Sequence, residues 1–96
     1  MQVKLTIYVA QVTPAIDAEF NQLRAALEQS YPGDYELSIV NVLEMPEKAI
    51  EREVFVTPTV IRELPEPVLR ILGDLSDHRT ILTAIQLDGE KGSVLI

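Results

Sequence analysis

Four apolar residues, Val3, Leu5, Ile7 and Val9, alternate with Lys4, Thr6 and Tyr8 at the start of the chain, and a helical repeat follows at once. A period of two sends neighbouring side chains to opposite faces, so this stretch predicts a strand with one face toward a core. Thr13-Pro14 predicts a helix start, because the hydroxyl can accept an orphan backbone N–H and proline at the first helical position loses no hydrogen bond. Ile16, Phe20, Leu23 and Leu27 then form one apolar stripe, and Pro32-Gly33 ends the helix near Ser30. Tyr35 to Leu43 (YELSIVNVL), rich in β-branched and apolar residues, reads as a second strand. Strand, helix and strand of these lengths make a βαβ unit with a parallel, right-handed crossover, and both faces of its sheet then need cover.

Beyond Leu43 the pattern changes. Pro46 opens a short helix through Arg52 whose core residues are Ala49 and Ile50. Phe55 to Leu64 (FVTPTVIREL) has strand composition interrupted by Pro58, and Val68 to Leu72 is a further strand after Pro65-Glu66-Pro67. Two strands joined by a short proline-rich turn predict an antiparallel hairpin. Asp74 or Ser76 is placed to cap a last helix reaching Leu87, with the stripe Leu75, Ile81, Leu82 and Ile85. Ser93 to Ile96 is a short apolar tail with no assigned element. The order β-α-β-α-β-β-α is the thioredoxin-like α/β arrangement, and a chain of 96 residues is expected to form one domain over 1–96.

Chemistry is narrowed by what the chain lacks. There is no cysteine, which removes disulfides, thiolate nucleophiles, CxxC redox chemistry and sulfur-ligated zinc. In a thioredoxin-like fold that chemistry sits between the first strand and the first helix, where this chain has Ala10-Gln11-Val12-Thr13-Pro14. Thr13 is the hydroxyl there, and with no base beside it in sequence a capping role outweighs catalysis. His78 stands alone between Asp77 and Arg79, a poor start for a metal site or a nucleophile system. Glu44 with Glu47, or Glu51 with Glu53, could serve as paired carboxylates, but such pairs are common on acidic surfaces. The four glycines are isolated, so no phosphate loop is present. We therefore expect no catalysis and no cofactor.

Fifteen acidic against eight basic residues leave a formal charge of -7, which repels phosphate backbones and anionic lipids. Nucleic-acid and membrane roles are accordingly not expected. Arg52, Arg62, Arg70 and Arg79 could form a local basic face, although scattered, solvated charges are the commoner arrangement. The first ten residues contain neither a secretory h-region nor a spanning segment, so a cytoplasmic location is expected. Thr57-Pro58-Thr59 lies where thioredoxin-like folds carry a proline before the third strand, commonly after a cis peptide bond, and this topology raises the odds of cis here.

Ile7-Tyr8-Val9-Ala10 with Thr13-Pro14, Val42-Leu43, Thr57-Pro58-Thr59, Leu64-Pro65, Pro67-Val68, Arg70 and Gly73-Asp74-Leu75-Ser76 closely resemble the KaiB family of cyanobacterial clock proteins. The match runs from about Leu5 to Leu87, and the stretch from Thr57 to Ser76 is its most specific part. The resemblance implies a non-catalytic regulator that binds the KaiC ATPase and exchanges between two folds. One is thioredoxin-like; the other is a ground state with a rearranged second half, assembled as a tetramer. By that resemblance Arg52, Pro58, Pro65, Pro67, Arg70, Gly73 and Asp74 are candidates for partner binding or for the joints of the switch. Prolines and glycines at such joints also serve as ordinary turn residues. Thr6, Ala18, Ser38, Val54 and Leu69 stand where the family usually carries basic residues.

Three functional classes follow: a KaiB-like regulator of a KaiC-type ATPase or related partner, a thioredoxin-like enzyme such as a glutathione-dependent transferase using Thr13 and Pro58, and a module that assembles with itself as a dimer or tetramer. The resemblance favours the first. Between the two folds, the strand pattern of 68–72 and the cap at Asp74 to Ser76 favour the thioredoxin-like one.

Overall fold

A computed structural model describes residues 2–72, 75–86 and 92–95. Its elements run β1 (Val3–Val9), α1 (Pro14–Ser30), β2 (Tyr35–Asn41), α2 (Pro46–Glu51), β3 (Thr59–Leu64), β4 (Leu69–Leu72), α3 (His78–Ile85) and β5 (Gly92–Leu95). The thioredoxin-like order read from the sequence is therefore present, with one strand added. The sheet order is β2-β1-β3-β4-β5: β1 and β2 are parallel, β3 is antiparallel to both β1 and β4, and β5 runs parallel to β4.

The period of two in β1 divides the molecule into a thick and a thin side. Val3, Leu5, Ile7 and Val9 face α1 and α3, where they pack with Phe20, Leu23, Leu27, Val60, Leu69, Ile71, Ile81 and Ile85 in the main core. Tyr8 faces the other way into a small cluster with Val40 and Ile61, flanked by Val42, Val54 and Val68. The main core has two helices over it, whereas among the described residues the helix on the side of the small cluster is the six-residue α2.

Both N-caps of the longer helices are made by side chains. Thr13 accepts from the Ile16 N–H at 3.1 Å, as its place before Pro14 predicts. For α3 the cap is neither Asp74 nor Ser76. Asp77 accepts from the Thr80 N–H at 3.2 Å, and the Thr80 hydroxyl donates back to its other oxygen at 3.0 Å. Asp77 is held as the cap by these two bonds from Thr80, one to each carboxylate oxygen. Asp74 and Leu87 lie outside the described residues.

Several other boundaries shift for identifiable reasons. β2 stops at Asn41, two residues early, because the Asn41 side chain accepts from the Leu43 and Glu44 N–H groups and turns the chain. β3 begins at Thr59, so Phe55 and Val56 fall outside the expected strand; Pro58 offers no ladder donor, and the Thr59 hydroxyl bonds back to the Val56 carbonyl at 2.6 Å. Ile50 is not a core residue, being 72 % exposed. The helix ends one residue later, and Glu53 at φ 55° turns the chain so that the Val54 N–H reaches the Ala49 carbonyl, leaving Ala49 facing the sheet and Ile50 outward. Within the unassigned tail, 92–95 forms β5 beside β4.

Candidate partner-binding site

The registers of β1 with β2 and β3 bring three connections together at one end of the sheet. Val9 pairs with Asn41 and Tyr8 with Thr59, so residues 10–13, 42–45 and 53–58 leave the sheet side by side. Among them a hollow of about 230 Å³ is lined by Val9, Ala10, Gln11, Ile16, Thr57 and Pro58. In a thiol oxidoreductase of this topology a helix N-terminus here would depress a cysteine pKa. The hydroxyl of Thr13 is instead engaged in capping α1. The Thr57-Pro58 bond is cis, the isomer that the topology favours. The connections at this end also carry Val12, Leu43, Met45, Phe55 and Val56, all exposed, Leu43 by 76 % and Phe55 by 86 %. Exposed large apolar side chains on neighbouring connections are a usual mark of a contact surface.

A second constellation lies on the thin side of the sheet, around Glu63. The register of β1 against β3 shifts between Lys4 and Leu5: Lys4 pairs with Leu64 and Leu5 with Arg62, leaving Glu63 as the extra residue of a bulge. The bulge aims its carboxylate at α2. Arg52 donates to Glu63 Oε1 from Nε at 2.8 Å, with Nη2 at 2.7 Å, while the Thr6 hydroxyl donates to Oε2 at 3.1 Å and Lys4 Nζ stands 3.8 Å away. Arg70 on β4 adds a further tie, donating from Nη2 to the Arg52 carbonyl at 2.8 Å. These groups edge a polar groove of about 270 Å³ that also includes Tyr8, Glu36, Ser38, Lys48 and Glu51. Burial, and next the Glu63 carboxylate, push the Tyr8 hydroxyl above the ordinary tyrosine range.

The sequence candidates thus separate. Arg52 and Arg70 meet at the C-terminus of α2, and Pro58 lines the hollow. Pro65 and Pro67 lie in the β3–β4 connection at the opposite end of the sheet, each after a cis bond. Gly73 and Asp74 lie outside the described residues. No common basic face joins the four arginines, because Arg62 points to the other side and is buried beneath α3. His78 is half-buried and not exposed, and among the described residues no group of histidine and carboxylates could hold a metal ion. Sequence reasoning missed Glu63, since its role depends on a bulge that no residue type announces.

Fold and hollow together define the class: a thioredoxin-like α/β protein whose thiol position holds a capping threonine and a cis-proline within an apolar mouth. A family model described as KaiB domain matches residues 6–87. The chain belongs to the KaiB family.

Among its relatives are the circadian clock oscillator protein KaiB of Prochlorococcus marinus, 42 % identical over 83 residues that cover 86 % of this chain and 79 % of that protein. The circadian clock oscillator protein KaiB1 of Synechocystis sp. is 40 % identical over 83 residues, with 86 % and 79 % covered. A likeness in fold extends to the N-terminal domain of Synechococcus elongatus SasA, with a TM-score of 0.67 at 21 % identity over 94 % of this chain and 90 % of that one.

Proposed function

We propose that the chain is a non-catalytic regulator in timing control that acts by binding a KaiC-type ATPase. The observation that carries this reading is the end of the sheet: where a thioredoxin-like enzyme would hold a nucleophile, this chain has a hollow of about 230 Å³ lined by Val9, Ala10, Ile16 and Pro58, and the connections at that end expose Val12, Leu43, Phe55 and Val56. Such a place recognises a surface and transfers no group. Family membership adds its weight, because the relatives named above are clock oscillator proteins.

In this reading Arg52, Arg70 and Pro58 belong to the binding half of the molecule, with Arg52 and Arg70 fixing the C-terminus of α2 relative to the sheet. Pro65 and Pro67, with Gly73 and Asp74, are the joints at which the second half would rearrange if the chain exchanges folds. Co-sedimentation of the full chain with a KaiC-type ATPase, loaded with ATP or with ADP, tests the proposal. Retention in one nucleotide state is expected; absence of retention in both would overturn it.

A further inference from the structure

The last strand, β5, stands apart from the rest of the sheet. It lies beyond residues 6–87, which the KaiB family model matches, and it pairs with β4 along its whole length, from Leu69 with Gly92 to Leu72 with Leu95. Because the pairing is parallel, β4, α3 and β5 form a βαβ unit at the opposite end of the sheet order from that of β1, α1 and β2. Without β5 the sheet would end at β4, leaving the N–H and C=O groups of one strand edge unpaired.

The two strands are held in different ways. Leu69 and Ile71 are buried in the main core, β3 binds β4 by an antiparallel ladder, and Arg70 donates to the Arg52 carbonyl at 2.8 Å. These ties keep β4 in place whether or not β5 covers it. In contrast, β5 has four residues and opens on Gly92, a poor strand former, and its parallel ladder is slightly weaker per residue than an antiparallel one.

An open β4 edge is complementary to itself. Two copies related by a two-fold axis would pair their β4 strands antiparallel, with each residue opposite one on the same face of the sheet. Centring the axis on Arg70 would oppose like charges, whereas centring it on Ile71 sets Arg70 opposite Leu72. The Ile71-centred register is therefore the favoured one.

We propose that β5 is an intramolecular strap over a self-pairing edge: while 92–95 occupies β4 the chain stays monomeric, and with β5 displaced β4 pairs with β4 of a second copy. The inference goes beyond the reading of the chain as an ATPase-binding regulator and does not depend on it.

The test uses the full-length chain carrying Ser93→Pro and Val94→Pro together. Of two successive N–H groups in a strand one points to the neighbouring strand, so the double variant removes a β4–β5 bond in either phase. Sedimentation at about 300 mM salt, where repulsion between chains is screened, should give a monomer for the parent. The variant should approach twice that mass as its concentration rises. Hydrogen exchange of the 69–72 amides that face β5 should be slow in the parent and in the variant dimer, and fast in the variant diluted to monomer. A variant that stays monomeric, a dimer in which those amides exchange fast, or a parent that is itself a dimer would overturn the proposal. Loss of the β1 and β2 amide signals in the variant would overturn it as well, since a strap is dispensable to the fold beneath it.

Discussion

The guanidinium of Arg62, on β3, meets the last turn of α3: Nη1 donates to the Ala84 carbonyl at 2.9 Å and to the Ile85 carbonyl at 3.2 Å, while Nη2 reaches the Pro67 carbonyl at 2.8 Å. The side chain is 1 % exposed. A buried cation at the negative end of a helix, shared with the β3–β4 turn, fixes both to the sheet. Arg62→Leu would leave buried carbonyls without these donors and should destabilise the protein by about 2–4 kcal/mol. Arg62→Lys, which lacks the fork, should fall between the two. Denaturant unfolding measures the loss, and amide exchange should be fastest in 78–85.

The Arg52–Glu63 pair is half in water at its arginine end, so its energetic weight is modest. Glu63→Gln should cost about 1 kcal/mol or less, and the difference from the parent should shrink at high salt. The local effect is larger than the global one, because α2 buries only Ala49. Amide exchange of Arg52, Glu53 and Val54, whose N–H groups bond within the turn, is expected to accelerate in this variant while α1 is unaffected. Equal rates in variant and parent would contradict this account of how α2 is held.

Tyr8 gives a pH dependence whose sign is fixed. Its hydroxyl ionises less readily in the folded protein than in the unfolded chain. Between the ordinary tyrosine pKa of about 10 and the raised folded value, the unfolded state has lost the proton and the folded state keeps it, so stability falls as pH rises. Below that window Tyr8 contributes no slope. Unfolding free energies of the parent and of Tyr8→Phe should diverge above about pH 10 and run parallel below it.

Thr13→Ala removes the side-chain acceptor of α1 and should cost about 1 kcal/mol. Leu23→Ala, in the middle of the stripe and fully buried, should cost about 3 kcal/mol. A Thr13→Ala variant that retains its partner as the parent does would agree with a capping role; one that folds well but loses binding would place the hydroxyl in the contact instead.

The legible part of the fold is that in which local pattern and burial coincide. Val3 to Val9 alternate because one face meets two helices, and the stripe from Ile16 to Leu27 is the same core seen from α1. The resemblance carried by Thr57 to Ser76 likewise led to the family. Illegible features were those decided by tertiary geometry. Phe55 and Val56 have strand composition yet lie at an exposed mouth, Ile50 has a core residue's chemistry on an outward face, and Arg62 looks like a surface cation although it is buried. Glu63 depends on a bulge, and β5 on pairing with β4, neither of which a single segment encodes.

The helix α2 buries one side chain, Ala49, against the sheet, while the other five of its six residues are exposed. Most of its sequence can therefore be rewritten with little thermodynamic penalty. The surface chemistry of this element is separable from folding, so descendants of one stable scaffold could change what α2 presents without first accumulating compensating changes in the core. The same latitude makes 46–51 the natural place to graft a new specificity.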